Sequence, residues 1–243
     1  MIDKKKYIVV IPARYKSKRL PGKPLITLKG IPMIIRTCIR VAMAVPKKKI
    51  LVATDDNRII KICKKYNFES LKTKSECLTG TDRVAAVAKK FKFSHYINIQ
   101  GDEPIFNPND IKKLLRYMKK YPKDVILGYT KINSREDYKN QNIPKVIVSK
   151  NEYLMFASRS SIPFQKKYDS KAYRQVLAYC FPRGKLLNFA KTSKKTFYEK
   201  IEDVEILRFL EKNIPVKMCK MSNTSISLDT KGDIKKILSK IIE

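Results

Sequence analysis

Two periods of apolar spacing alternate along the first 120 residues. Residues 7–11, YIVVI, form a continuous apolar run that stops at Pro12, the pattern of a strand buried on both faces. From Met33 to Val45 the apolar side chains Ile34, Ile35, Cys38, Ile39, Val41, Ala42 and Val45 recur at helical spacing. A second strand-like run, ILVA at 50–53, ends in Thr54-Asp55-Asp56, which caps a helix carrying Ile59, Ile60 and Cys63. Residues 79–91 read as a helix entered through Thr-Gly-Thr-Asp. Residues 96–99 read as a strand running into QGDEP, and 108–120 as the next helix. Strand, helix, strand, helix predicts an α/β fold with a mostly parallel, Rossmann-like sheet flanked by helices. In such sheets ligands sit beyond the carboxyl ends of the strands. The loop after Ile11, the Thr54-Asp55 corner and the loop after Ile99 all fall on that edge.

The second half changes character. Residues 125–132, 144–149 and 153–156 predict strands joined by polar turns, hence a smaller, partly antiparallel insertion. Helical patterns resume at 185–191, 202–212 and 231–242, with strands at 216–219 and 225–228. With no internal repeat and no low-complexity linker, residues 1–243 read as a single α/β domain.

Composition narrows the class. Hydrophobic residues make up 43% of the 243, close to the globular norm of about 45–50%, so a packed core is expected and wholesale disorder is excluded. No apolar run approaches the roughly 20 residues of a membrane span, and the first apolar stretch breaks at Pro12 and Arg14, too short for a signal peptide. The expectation is a cytoplasmic protein without membrane insertion. Five cysteines, Cys38, Cys63, Cys77, Cys180 and Cys219, are scattered and never paired as CxxC, so they read as reduced thiols.

Net charge is +32, from 54 Lys and Arg against 22 Asp and Glu. That invites a nucleic-acid reading. Yet the lysines come in short runs along the whole chain, and no RNP motif, Cys/His finger or basic-zipper heptad accompanies them. Lysine, isoleucine and asparagine in place of arginine, alanine and glycine is also what an AT-rich coding sequence produces. Specific nucleic-acid binding is therefore not expected, while the positive field attracts anionic small molecules.

Three segments carry chemistry. Residues 11–25, IPARYKSKRLPGKPL, place Arg14, Lys16, Lys18, Arg19 and Lys23 in one loop, with Pro21-Gly22 setting a turn before the last. Guanidinium forks and an ammonium can wrap an oligophosphate. The loop is neither a Walker A motif nor a GxGxxG fingerprint, and a solvated basic loop is the plainer reading. QGDEP, 100–104, puts Asp102 at the end of a strand facing that loop, where a carboxylate can hold Mg²⁺ on a nucleotide. A turn with a helix cap explains the same residues. SLDT, 227–230, offers Asp229 as a second carboxylate or as the cap of the last helix.

On these residues the chain resembles the CMP-Kdo synthetases (3-deoxy-manno-octulosonate cytidylyltransferases) of the nucleotide-diphospho-sugar transferase superfamily. The resemblance is collinear: the 11–25 loop, VATDD (52–56), TGTDR (79–83), QGDEP, SRSSIP (158–163) and LDT (228–230). It implies transfer of a cytidylyl group from CTP to the anomeric hydroxyl of a 2-keto-3-deoxy sugar acid, with release of pyrophosphate. It further implies that Arg14 and Lys23 hold the phosphates, assisted by Ser17 and Arg19, and that Gly80, Thr81 and Arg83 line the cytidine pocket. Asp102 and Asp229 would bind Mg²⁺, which makes Arg14, Lys23, Asp102 and Asp229 the catalytic set. Gln100 and Arg159 are candidates for the sugar carboxylate, and Glu205 for its hydroxyls. Residues 1–124 would be mainly the CTP half, and 125–243 the sugar-binding and dimerisation half of a homodimer.

One stretch departs from the family pattern. Where R-H-x-G-x-Y-G-Y is usual, residues 174–181 read RQVLAYCF. Tyr179 is kept, but Gln175 replaces a histidine, Leu177 and Cys180 replace glycines, and Phe181 replaces a tyrosine. The changes fall in the sugar half, so the expectation is retained nucleotide chemistry acting on Kdo or another ulosonic acid, with neutral divergence as the alternative. The single histidine, His95, excludes a two-histidine metal site within one chain. A different nucleotidyltransferase, a polyanion binder and a silent relative are the competing classes.

Overall fold

The computed structural model describes residues 6–16, 20–167, 169, 171–228 and 230–241. Its first half follows the predicted alternation. Strand β1 (Tyr7–Ala13) leads through the hairpin β2 (Thr27–Leu28) and β3 (Ile31–Pro32) into helix α1 (Met33–Ala42). Then come β4 (Ile50–Thr54), α2 (Asn57–Lys65), β5 (Ser70–Lys72), α3 (Gly80–Lys90), β6 (His95–Ile99) and α4 (Pro108–Lys120). Strands β1, β4, β5 and β6 pair in parallel. The helix starts have the caps the sequence suggested. Asp56 accepts from the Arg58 N–H at 2.8 Å to open α2, and Thr79 accepts from the Asp82 N–H at 3.2 Å to open α3.

The second half comprises β7 (Val125–Lys131), α5 (Arg135–Lys139), β8 (Lys145–Val148), β9 (Leu154–Ser158) and β10 (Tyr173–Pro182). Helices α6 (Arg183–Phe189), α7 (Phe197–Glu202) and α8 (Leu207–Glu211), strand β11 (Val216–Lys220) and α9 (Lys231–Leu238) complete it. The main sheet runs β11-β7-β10-β6-β1-β4-β5, with β8 and β9 attached through β10. Pairings of β10 with β6, β7 and β8, and of β8 with β9, are antiparallel. Helices α1, α2 and α4 cover one face through Ile35, Cys38, Ile59 and Leu114, while α3, α6 and α8 cover the other through Val84, Ala88, Leu186 and Phe209.

Three expectations need correction. β10, ten residues in mid-sheet, was not anticipated as a strand. Buried on both faces, it shows no polar-apolar alternation to mark it. The expected 202–212 helix is broken: Asp203 adopts φ +50° after α7, and α8 begins only at Leu207. Residues 225–228 join no ladder, because the Leu228 N–H and the Ser227 hydroxyl bond to the QGDEP loop instead. The cysteines are free, as expected, with all but Cys77 buried.

Candidate functional site

The parallel strands β6, β1 and β4 are neighbours, so the three polar clusters that follow them meet on one edge of the sheet. The basic loop after β1 is closed on itself. The Gly22 N–H donates to the Tyr15 carbonyl at 3.1 Å, and Gly22 sits at φ +70°, a conformation where a Cβ would be strained. This closure delivers Lys23 to the QGDEP loop, where its Nζ lies 2.6 Å from Asp102 Oδ2. Arg14 is exposed at the mouth of the same loop. Ser17 and Arg19 lie outside the described residues.

QGDEP itself is held from below. A Cβ on Gly101 would stand 2.7 Å from the Pro12 carbonyl oxygen and 3.1 Å from Ile34 Cδ1, so only glycine lets the two strand ends approach this closely. The Asp102 carbonyl accepts from the Leu228 N–H at 2.9 Å, and Ser227 Oγ donates to Glu103 Oε1 at 2.6 Å. These bonds seat the segment leading to Asp229 against Asp102. Asp229 is outside the described residues, and among those described no cluster of three metal-ligating side chains occurs. Asp102 Oδ1 is buried and has no hydrogen-bond partner, while Oδ2 is taken by Lys23. A carboxylate oxygen left open in this way fits Mg²⁺, which takes one or two protein carboxylates and completes its shell with water and phosphate.

Beside this charged corner stands a second group. Glu205, in the bend between α7 and α8, accepts from the Thr81 N–H at 3.1 Å, and Gln100 Nε2 lies 3.5 Å from its other oxygen. A Cβ on Gly80 would come within 2.6 Å of Gln100 Nε2, so the glycine is what admits the glutamine side chain. Burial raises the Glu205 carboxyl above its ordinary value, against the lowering by the Thr81 N–H. The Tyr179 hydroxyl is buried close to Glu205, and burial together with that carboxylate pushes its pKa well up. Gln175, also on β10, is 8% exposed, with Oε1 unpartnered. Gln100, Tyr179 and Glu205 thus form a polar group next to Lys23 and Asp102, while Gln175 lies farther along β10, paired with Tyr129 of β7.

Two expected ligand residues are engaged elsewhere. Arg83 is 3% exposed and donates to Thr73 Oγ1, the Lys74 carbonyl and Asp55 Oδ2, so it ties α3 to the strand ends rather than facing an open pocket. Arg159 donates to the carbonyls of Gln141, Glu202 and Asp203, and its own N–H bonds the Glu202 carboxylate at 2.9 Å. Its guanidinium staples the α7 bend. Phe181 stacks between Tyr179 and Phe209 with ring centroids 5.5 Å from each, and Cys180 is buried in the opposite core. Those two departures from the family pattern are packing positions; of the other two, Leu177 borders the polar group, its carbonyl accepting from the Gln100 N–H at 3.3 Å.

Some contributors were invisible in the sequence. Lys145 is fully buried on β8 and donates to the carbonyls of Asn140, Ile143 and Arg159 at 2.9, 2.9 and 2.7 Å, with burial bringing its pKa down to about 8. Arg208 is fully buried and bonds both Asp82 and Glu199, clamping α8 to α3 and α7. Nothing local distinguishes these two from the chain's many surface cations.

Comparison with known proteins places this arrangement. The cytidylyltransferase family model matches residues 8–226. The 3-deoxy-manno-octulosonate cytidylyltransferase of Geotalea uraniireducens is 33% identical over 97% of this chain and 99% of its own. That of Escherichia coli is 31% identical over 96% of this chain and 94% of its own. A solved structure of CMP:2-keto-3-deoxy-manno-octonic acid synthetase complexed with CTP superposes with a TM-score of 0.88 at 31% identity, covering 96% of this chain and 97% of that one. A glucose-1-phosphate thymidylyltransferase structure from Bacillus anthracis shares the fold, with a TM-score of 0.70 at 11% identity.

Proposed function

The chain belongs to the cytidylyltransferase family, and from that premise we propose that it joins CTP to 3-deoxy-manno-octulosonate to give the CMP-sugar and pyrophosphate. The anomeric oxygen attacks the α-phosphorus, the bond to the β-phosphate breaks, and the hydroxyl proton leaves to solvent or a carboxylate. The reading rests on one juxtaposition: the basic loop and QGDEP meet through Lys23 and Asp102 at 2.6 Å, with the Gln100 and Glu205 lining beside them. Phosphoryl-group transfer calls for in-line positioning and charge neutralisation more than covalent help. Arg14, Arg19 and Lys23 supply that neutralisation, and Ser17 of the same loop adds a hydroxyl donor. Gly80 and Thr81 bring the N-terminal turn of α3 to the nucleoside. Gln100, Gln175, Tyr179 and Glu205 present donors and acceptors to the sugar.

Asp102 and Asp229 are the residues that would hold Mg²⁺. When bound, the ion would polarise the α-phosphate and lower the pKa of the attacking hydroxyl. The partners are therefore CTP and an acidic sugar, in the cytoplasm. Among the described residues no helix is long and apolar enough to cross a membrane. A homodimer is proposed on the exposed apolar side chains Phe197, Tyr198 and Ile201, which share a face of α7 in the 125–243 half.

The Gln175 and Leu177 replacements favour a second reading, in which the sugar is a different ulosonic acid. Pyrophosphate release with Mg²⁺, screening four nucleoside triphosphates against Kdo and related ulosonic acids, tests both. Turnover with CTP and Kdo is the expected result. Turnover with CTP and another ulosonic acid alone moves specificity to Gln175 and Leu177, and no turnover with any pair overturns the proposal.

A further inference from the structure

The parallel sheet has a second edge, and its chemistry differs from that of the first. Helices α1 to α4 run back against the strands, so the segments leading from them into β4, β5, β6 and β7 gather on the edge opposite the candidate site. Segments 43–49, 64–69, 89–94 and 119–124 hold eleven lysines and no arginine in 25 residues, with Glu69 and Asp124 as their only acids. The whole chain holds 42 lysines in 243, so this edge carries well over twice the average density. The segments after β4 and β6, on the site edge, carry Asp55, Asp56, Asp102 and Glu103 instead. Lysines in the last turns of α2, α3 and α4 complement the negative helix ends. That account does not extend to Lys92 or Lys123, which lie beyond the helices.

We propose that this lysine edge docks the protein on an anionic lipid surface, peripherally and without insertion, with the candidate site facing away from the bilayer. Two observations favour a membrane over nucleic acid. Rings on this edge are already covered by ammonium groups: Lys47 stands 4.9 Å over Phe68, Lys49 5.1 Å over Tyr7 and Lys120 5.3 Å over Tyr121. Bases would find few bare faces to stack on. The cations in these segments are lysines throughout, point charges suited to a fluid array of headgroups, whereas fixed phosphates are matched better by arginine forks. Phe91, 38% exposed, is flanked by Lys89, Lys90 and Lys92, an aromatic among ammoniums as interfacial segments provide.

The test is co-sedimentation of the full chain with phosphatidylcholine vesicles, with and without phosphatidylglycerol, at low and physiological salt. Partitioning should be more than tenfold stronger on the anionic vesicles and should fall with salt. Replacing Lys47, Lys48, Lys89, Lys90 and Lys92 together by Gln should abolish it, with pyrophosphate release unchanged and the melting temperature lowered by only a few degrees, the scale of lost helix-end charges in a domain of this size. Replacing the exposed Lys139, Lys150, Lys166, Lys167 and Lys171 by Gln should leave it near the wild-type level. Equal loss in the two variants would mean that net charge alone binds, and would overturn the proposal. Equal partition to neutral vesicles would overturn it too, as would stripping from the vesicles by DNA or RNA of matched phosphate concentration. The vesicle-partitioning readouts do not depend on the cytidylyltransferase assignment.

Discussion

Glu205 shows how much one carboxylate is asked to do. It accepts the Thr81 N–H, stands against Gln100 and is partly desolvated, so its folded pKa lies above the unfolded value of about 4.3. Between those two values the folded state holds the extra proton, so this group's contribution to stability falls as pH rises through the window. Urea denaturation across that range should show a downward slope with pH that is reduced in Glu205→Gln. If the side chain also binds the sugar, Glu205→Gln should raise KM for the sugar by about tenfold, the scale of one charge-assisted hydrogen bond. KM for CTP should stay near its wild-type value, and an equal rise in both would remove Glu205 from the sugar pocket. Gly80 and Gly101 work by omission at the same scale. Each leaves room for a neighbour that a Cβ would displace: the Gln100 side chain in one case, the Pro12 carbonyl in the other.

Among the elements, α8 matters beyond its five residues. Arg208 bonds Glu199 on α7 and, with two N–H donors, the Asp82 carboxylate on α3, while its guanidinium lies 3.8 Å from the Phe189 ring centroid. Asp82 directly follows Thr81, so this clamp sets the distance between the α3 N-terminus and Glu205. Arg208→Met keeps the volume but leaves Glu199 fully buried without its cation. The expected cost is about 3–5 kcal/mol, a fall in melting temperature of roughly 10 °C for a domain of this size. A calorimetric loss below about 1 kcal/mol would show that the network is slack. β10 makes a related point about recognition. Its residues 174–181 carry a motif, yet burial on both faces, with six of its ten residues buried and none exposed, hides the strand that carries Gln175 and Tyr179 into the middle of the sheet.

For the whole molecule, assembly and charge are the open properties. The exposed face of α7, with Phe197 at 69% and Ile201 at 64% exposure, is the surface on which dimerisation is proposed. Ile201→Asp should shift sedimentation velocity from dimer to monomer; a wild-type chain that runs as a monomer rejects that surface. By itself the sequence determined the α/β alternation, most helix starts, and the sheet edge on which the loops carrying Arg14, Lys23, Gln100 and Asp102 meet. Those features follow from local rules: apolar period, capping side chains, and motifs confined to a single strand-loop-helix unit. What only the tertiary structure decided depends on partners far apart in the chain. It gave Arg83 and Arg159 hydrogen-bond partners within the protein, made Phe181 a core ring, and joined Glu205 to Thr81 across 124 positions. It also collected lysine runs, scattered in the sequence, onto one edge of the sheet. A side chain's chemistry is written in its type, but which group it meets is set by how helices and strands return past one another, and no local pattern carries that.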